Sequence, residues 1–331
     1  MKLITSLLLL ALTIAVGWAG VELVGLRYFF GVIVPYAALA LFVIGLFYRV
    51  LSWAKAPTPF KITTTTGQQK SLDWVKHEPL EAPHTTLQVI GRMALEILFF
   101  RSLFRNSKAE LKDGPLMVYG STKLLWLFGL AFHWSFLIVF IRHFKYFAEP
   151  VPSWILMMQE LDGFFQIGVP VLYLTDVALL VALTYLLFRR ILNPHMRYMS
   201  LVADYFPLLL IMAIATTGVL MRYTAWKVDI TDVKVLAASL AGFSPIVPET
   251  LGTLFFVHLF LVSVLLIYFP LSKLMHMPGV FLTPTRNLAN DNRARRHVNP
   301  WNPKVKTHTY EEWEDEFREV MKAADMPLEK E

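Results

Sequence analysis

Nine histidines occur in this 331-residue chain, and four of them fall in or at the ends of long apolar runs. His133 and His143 stand ten residues apart in one run, and His258 and His276 stand eighteen apart in another. An ionisable side chain inside a bilayer is costly and normally has a partner or a task. Neutral imidazole is a good axial ligand for haem iron. Two helices that each contribute two histidines can therefore hold two haems, one above the other across a membrane. The remaining histidines, His77, His84, His195, His297 and His308, lie in polar connections and read as surface residues. The chain has no cysteine, which excludes disulfides, thiolate metal sites, iron–sulfur ligation and C-x-x-C-H haem attachment.

The elements that must position these residues are membrane helices. Hydrophobic residues make up 56% of the chain and charged residues 17%, with a mean hydropathy of +0.50. A soluble domain carries roughly a quarter charged residues. Crossing ~30 Å of hydrocarbon takes about 20 residues at 1.5 Å each. Six runs meet this length, over residues 3–19, 28–50, 121–147, 166–188, 201–221 and 251–275. The first resembles a signal peptide in layout, but Gly17-Trp18-Ala19 is a poor cleavage site and the run reads as a retained helix. The expected fold is all-α: a polytopic membrane protein of six transmembrane helices with a dihaem four- or five-helix bundle core. Two N-terminal helices occupy residues 1–54, a cytoplasmic connection 55–120, the dihaem core 121–281 and a cytoplasmic tail 282–331.

Basic residues orient the spans. One arrangement puts all but six of the 31 Lys and Arg on one side, the exceptions being Arg27, Arg142, Lys145, Arg222, Lys227 and Lys234. That side is the cytoplasm, and both termini are expected there. The net charge of +6 reflects this asymmetry and gives no reason to invoke nucleic acid.

The two histidine spans then run antiparallel. His143 and His258 fall towards the non-cytoplasmic side, and His133 and His276 towards the cytoplasmic side. Ten residues cover about 15 Å of helix and eighteen about 27 Å, a mismatch of about 12 Å for straight upright helices. Tilt or a kink at Pro270 can absorb it. Eighteen residues are five full turns, so His258 and His276 share a face, whereas His133 and His143 are roughly 80° apart. The bland alternative is a haem-free transporter or scaffold with hydrogen-bonded histidines between its helices.

Residues 55–115 open with Pro57, Pro59 and the threonines 63–66, an irregular loop. Residues 87–104 are apolar but carry Arg92, Glu96 and Arg101, which suits an amphipathic helix on the membrane surface or one packed under a partner subunit. Residues 283–308 hold six Lys or Arg and one Asp, with Pro284, Pro300 and Pro303, and read as an extended basic arm. Thr309 and Glu312 have capping-box spacing, so residues 310–324 read as a helix rich in Glu and Asp. It is either a solvated end or a docking element for a cytoplasmic subunit.

Phe132-His133, Arg142-His143-Phe144, His258-Leu259 and the stretch Phe269-Pro270-Leu271-Ser272-Lys273-Leu274-Met275-His276 resemble the gamma-subunit family of respiratory nitrate reductase. Arg189-Arg190-Ile191-Leu192-Asn193-Pro194 with Arg197 adds to the likeness, which covers residues 124–281. The resemblance implies a cytochrome b with two haem b groups, one held by His143 with His258 and the other by His133 with His276. The extra N-terminal span, the long insertion, the longer tail, Arg142 before His143 and Phe100-Arg101-Ser102-Leu103-Phe104-Arg105-Asn106 are more similar to the DsrM family. These are the cytochrome b subunits of the sulfite-reduction-associated Dsr membrane complex, in which sulfate respiration and related sulfur metabolism are run. That resemblance implies a prokaryotic inner membrane, electron exchange with menaquinone, and a cytoplasmic iron–sulfur subunit akin to heterodisulfide reductase. It also implies a periplasmic multihaem cytochrome c, a periplasmic iron–sulfur protein and a second membrane subunit. A gamma-type cytochrome b of a nitrate or heterodisulfide reductase is the nearest alternative. In each case the terminal catalytic centre sits on a partner.

Haem propionates want cationic partners, and Arg142 and Arg222 are the candidates for these or for a quinone headgroup. Lys145, Tyr173 and Asp176 complete a candidate quinone neighbourhood, because quinol oxidation releases protons and Asp176, about 15 Å into its span, can accept one. The topology itself is testable. Reporter fusions at the two ends should both be active on the cytoplasmic side, and a C-terminal reporter active outside would reject the six-span orientation.

Overall fold

Long runs of Leu, Ile, Val and Phe become helices in the computed structural model, which describes every residue except 57–66, 113, 115, 284, 293, 296–303, 305 and 331. The Pro57–Thr66 loop reading and the three prolines of the basic arm therefore lie outside the described residues. Helix α1 is Lys2–Glu22. Helix α2 is Val34–Ala54, preceded without a break by one π turn, Phe29–Ile33. Then come α3 (Thr86–Phe99), α4 (Arg101–Arg105), strands β1 (Ser107–Lys112) and β2 (Leu116–Ser121), α5 (Lys123–His143), α6 (Ser153–Asp162) and α7 (Leu174–Leu192). The remainder is α8 (Pro194–Met199), α9 (Val202–Tyr223), α10 (Ile230–Ala241), α11 (Thr253–Tyr268), α12 (His276–Gly279) and α13 (Tyr310–Ala323).

Among the described residues five helices are long and apolar enough to cross a membrane: Lys2–Glu22, Phe29–Ala54, Lys123–Tyr146, Val202–Tyr223 and Thr253–Leu271. The expected fourth span differs. Its helix, α7, begins at Leu174, not near residue 166, and carries Asp176 in its first turn and Arg189 and Arg190 in its last. Only residues 177–188 are free of charge, about 18 Å of helix. Asp176 is thus at a helix end and not deep within a span. Even so, α7 is central to the bundle: it packs between α5 and α9, while α9 packs on α1 and α11, and α11 on α2. Leu179 and Leu183 of α7 meet Ile211 of α9 in one buried cluster. Leu210 of α9 meets Val257 and Leu261 of α11 in a second. Val21, Phe30, Val233, Leu236, Leu251 and Phe256 form a third at the end of the bundle away from Lys2. The outward faces, such as Leu8, Ile44 and Phe47, stay bare, as lipid-facing residues do.

Three further expectations change. The all-α fold gains a hairpin, β1 pairing antiparallel with β2 from Ser107↔Ser121 to Lys112↔Leu116. The apolar stretch 87–104 forms two helices because Phe100 adopts a left-handed conformation (φ 50°) that turns the chain. Its charges are spent inside the protein: Arg92 is buried and donates to the Glu81 and Thr285 carbonyls (3.0 and 3.3 Å). Burial lowers the pKa of this guanidinium from its ordinary value, the nearby Glu81 partly offsetting it. Glu96 accepts from Arg286 (2.6 Å) and from Ser102, and Arg101 and Arg105 both pair with Glu81. The start of the basic arm is thereby clasped against α3, whose Leu87 and Ile90 face outward.

The last span is not one helix. Pro270 lacks the N–H that would continue α11 and its ring crowds the preceding turn. The chain leaves the helix at Tyr268, makes 3₁₀ turns at Phe269–Leu271 and Lys273–Met275 with extended Ser272 between, and restarts at His276. His258 and His276 therefore do not share one continuous face. Gly45 of α2 accommodates this break: a Cβ there would lie 2.7 Å from the Pro270 ring. Gly45→Leu should overpack this contact by about 1–3 kcal/mol. A thermal midpoint of the detergent-purified protein no lower than that of the parent would refute the close approach.

Candidate functional site

The break decides where the histidines sit. From His258 to Tyr268 is ten residues, about 15 Å of helix, the same rise as from His133 to His143. What remains of the eighteen-residue interval is used to turn, and His276 arrives beside His133. Their ring centres are 6.0 Å apart with the planes at 85°. At the other end, His143 and His258 are close enough to act on each other electrostatically. Helices α5 and α11 are joined through α7 and α9, and side chains of both pack on the cluster of Leu179, Leu183 and Ile211.

Each ring is held in the same way. Nδ1 of His133 hydrogen-bonds the Gly129 carbonyl (2.7 Å), that of His143 the Val139 carbonyl (2.6 Å) and that of His276 the Lys273 carbonyl (2.9 Å). Nδ1 of His258 pairs with the Thr217 hydroxyl (2.8 Å). A carbonyl can only accept, so in three of the rings Nδ1 carries the proton and Nε2 presents a lone pair. Metal-bound histidines are oriented by such a bond at the other ring nitrogen. A metal ion sits about 2 Å from an imidazole nitrogen, and that nitrogen lies roughly 1 Å from the ring centre. One iron between two rings thus separates their centres by roughly 6 Å, the distance between His133 and His276. Among the described residues no three or more His, Asp or Glu are grouped to hold a bare metal ion; a haem needs only the pair.

Neighbouring groups were not all legible beforehand. Phe100 sets its ring edgewise on His133, 4.9 Å between centres, using the left-handed turn after α3. Trp126 and Trp134 of α5 donate from their indoles to the Phe99 and Leu98 carbonyls (2.7 and 3.0 Å), which ties the end of α3 to the same stretch of α5. Gly218 lies against His258, where an added Cβ would be 3.5 Å from the ring. The residue run 100–106 drew notice in the sequence, but no signal there marks Phe100 or Thr217 as a contact of histidine.

At the His143 end the assignments shift. Arg142 is buried and is not a free cation for a propionate. It forms ion pairs with Asp162 (3.2 Å) and Asp176, donates to Thr175 (3.3 Å) and stacks 4.0 Å over Tyr173. Tyr223 donates to Asp176 (2.9 Å). Asp162, from α6, also accepts from the Thr175 backbone and hydroxyl (2.8 and 2.6 Å). Arg222 and Lys145 differ from Arg142, since neither has a carboxylate partner among the described residues. Arg222 donates to the Val171 carbonyl (3.2 Å), lies 4.1 Å over Tyr173, and has a buried Nε with no acceptor. Lys145 donates to Gln159 (2.9 Å). Two cations without carboxylate partners at this end of the bundle suit an anionic group such as a haem carboxylate.

Five apolar helices of spanning length, with His133 and His276 brought side by side, suit a multi-pass membrane protein of cytochrome b type. The chain belongs to the nitrate reductase gamma subunit family, which it matches over residues 100–296. It is 46% identical over 281 residues to the Hdr-like menaquinol oxidoreductase cytochrome b-like subunit of Archaeoglobus fulgidus, covering 83% of each chain. It is 41% identical over 276 residues, covering 81% of each chain, to the protein of the same description in Archaeoglobus profundus. The four histidines and helices α5 to α11 all lie inside the family match, and α1 and α2 precede it.

Replacing Arg142 tests the ion network. Arg142→Ala would leave Asp162 and Asp176 buried without a cation, a loss of about 3–5 kcal/mol. The thermal midpoint should fall by several degrees, and Arg142→Lys should recover only part, because an ammonium cannot fork to both carboxylates. An unchanged midpoint for Arg142→Ala would show that the pairs contribute nothing.

Proposed function

We propose that this chain is the electron-transferring cytochrome b of a menaquinol oxidoreductase complex. His143 with His258 binds one haem b on the non-cytoplasmic side, and His133 with His276 binds a second on the cytoplasmic side. The observation that carries this reading is the approach of His133 to His276 at iron-ligating distance, with each Nδ1 tied and each Nε2 free. The printed description of both relatives supports the menaquinol link. In this reading α7 is the sixth crossing, its charged ends at the two headgroup layers, and both termini are cytoplasmic.

The haems supply reversible one-electron redox chemistry when bound. The chain does the rest. Gly129, Val139, Lys273 and Thr217 fix the ring orientations. Lys145 and Arg222 offer charge to carboxylates at the non-cytoplasmic edge. Menaquinol is placed in the same neighbourhood of Lys145, Tyr173 and Asp176, where Asp176, held by Arg142 and Tyr223, is positioned to accept a proton. Because the chain has no cysteine, electrons pass to iron–sulfur chemistry on another subunit. We assign that role to a cytoplasmic partner resembling heterodisulfide reductase. A periplasmic multihaem cytochrome c, a periplasmic iron–sulfur protein and a second membrane subunit complete the complex. Within this reading we place the chain with DsrM-type cytochromes of dissimilatory sulfur metabolism, on its extra N-terminal span, its 55–115 insertion and its long tail.

The purified protein should show a reducible b-type optical spectrum with two haems per chain. His143→Ala and His258→Ala should each remove the same haem, leaving the other. Absence of a b-type signal would end the cytochrome reading, and loss of different haems by the two variants would break the pairing.

A further inference from the structure

Beyond the clasped arm, helix α13 stands apart from the bundle. It begins with a full capping box between Thr309 and Glu312. The chain after it folds back: Glu314, 1% exposed, accepts from the Glu329 and Lys330 backbone N–H groups (2.7 and 3.3 Å) and pairs with Arg318 (3.1 Å). Arg318 in turn donates to the Lys330 carbonyl (2.5 Å). Every hydrogen bond and ion pair of α13 among the described residues stays within residues 308–330. The helix and its returning tail are thus a small self-held unit.

Its two faces are of opposite kind. Tyr310, Trp313, Phe317 and Val320, at helical spacing, are 47, 39, 40 and 66% exposed. Their rings contact in series, Tyr310 to Trp313 at 5.9 Å and Trp313 to Phe317 at 5.6 Å between centres. The other side carries Glu311, Glu312, Asp315, Glu316 and Glu319 against Arg318 and Lys322, which pair with Asp315 and Glu319, and stays net acidic. Helices that lie on membranes place Lys and Arg on the polar face, and a cytoplasmic leaflet is itself anionic. This helix would be repelled there. Two copies of it would repel each other for the same reason. An aromatic face backed by carboxylates matches an apolar groove rimmed by Lys and Arg on another protein.

We propose that α13 is the docking helix for the soluble redox subunit of the complex, seated by Trp313 and Phe317 in a basic-rimmed apolar groove. This rests on the function proposed above. Chain continuity favours the position: the arm leaves the membrane just after His276 and is clasped to α3 by Arg92 and Glu96. A subunit held there sits at the end of the bundle where His133 and His276 meet.

The test purifies the whole complex through a tag on the N-terminus of this chain. It reads the b-haem spectrum and the amount of iron–sulfur subunit per haem. Trp313→Ala with Phe317→Ala should lower that amount tenfold or more while the spectrum is kept. Glu316→Lys with Glu319→Lys, which spares the aromatic face and the capping box, should weaken retention and make it more sensitive to salt. Full retention of the iron–sulfur subunit in both variants overturns the proposal and leaves the cytochrome reading intact. So does loss of binding to phosphatidylglycerol vesicles, or a halving of mass, with the subunit retained, since these identify a membrane or a second copy as the occupant. A parent complex without b haem defeats the underlying function instead.

Discussion

On the proposed reading, two imidazole nitrogens on opposite sides of one iron come within about 4 Å of each other, from helices kept apart by the group between them. Two such sites stacked in one bundle add a stricter condition: both pairs must be level. On α5 the levels are set by ten residues of unbroken helix, whereas eighteen separate His258 from His276. Pro270 ends α11 once it has risen as far as α5 rises between its histidines, and the following turns carry His276 sideways and not further along the axis. Gly45 lets α2 close over that break. A residue that looks like an interruption of a membrane span is thus what lets the four histidines form two pairs.

Charge is distributed with the same economy. The side of the membrane assigned to the non-cytoplasm holds only six basic residues, yet Arg142 and Lys145 flank His143 in the chain and Arg142 and Arg222 both lie over the Tyr173 ring. Nothing in membrane topology asks for cations there; the positive-inside tendency disfavours them. Arg142 is accounted for by Asp162 and Asp176, an ion network that joins α5, α6 and α7 at that end. Lys145 and Arg222 are left facing Tyr173, Gln159 and a backbone carbonyl. A buried guanidinium nitrogen without an acceptor is costly unless a partner arrives, and both Arg142 and Arg222 have such an Nε over the Tyr173 ring.

Five of the six expected spans could be read from the sequence because hydrophobic length is a property of the chain itself. The capping box at Thr309 was legible for the same reason: its signal lies within four residues. Other features depend on what folding brings together. Asp176 was placed too deep because residues 166–173 are apolar enough to read as helix, whereas the chain there is irregular up to Tyr173 and the helix starts at Leu174. Arg142 looked like a free cation until Asp162, on a short helix that no apolar run announced, was brought against it. The hairpin of β1 and β2 was hidden because Lys108 and Glu110 alternate with apolar residues over only six positions. Phe100 reaches His133 only through a backbone turn that its neighbours do not foretell.

The lack of cysteine ties these parts together. On the proposed reading, a chain that ligates haem and has no cysteine for an iron–sulfur cluster passes its electrons to another subunit. Their exit must lie where a partner can come near one histidine pair. At the His143 end the surroundings are filled by α6, α10 and the ion network. At the His133 end the enclosing parts are α3, the turn at Phe100 and the arm held by Arg92 and Arg286. All three are polar-clasped elements outside the spans, and α13 follows the arm in the chain. On the proposed reading, the insertion and the tail, which are the least membrane-like segments of the chain, surround the pair from which electrons must leave.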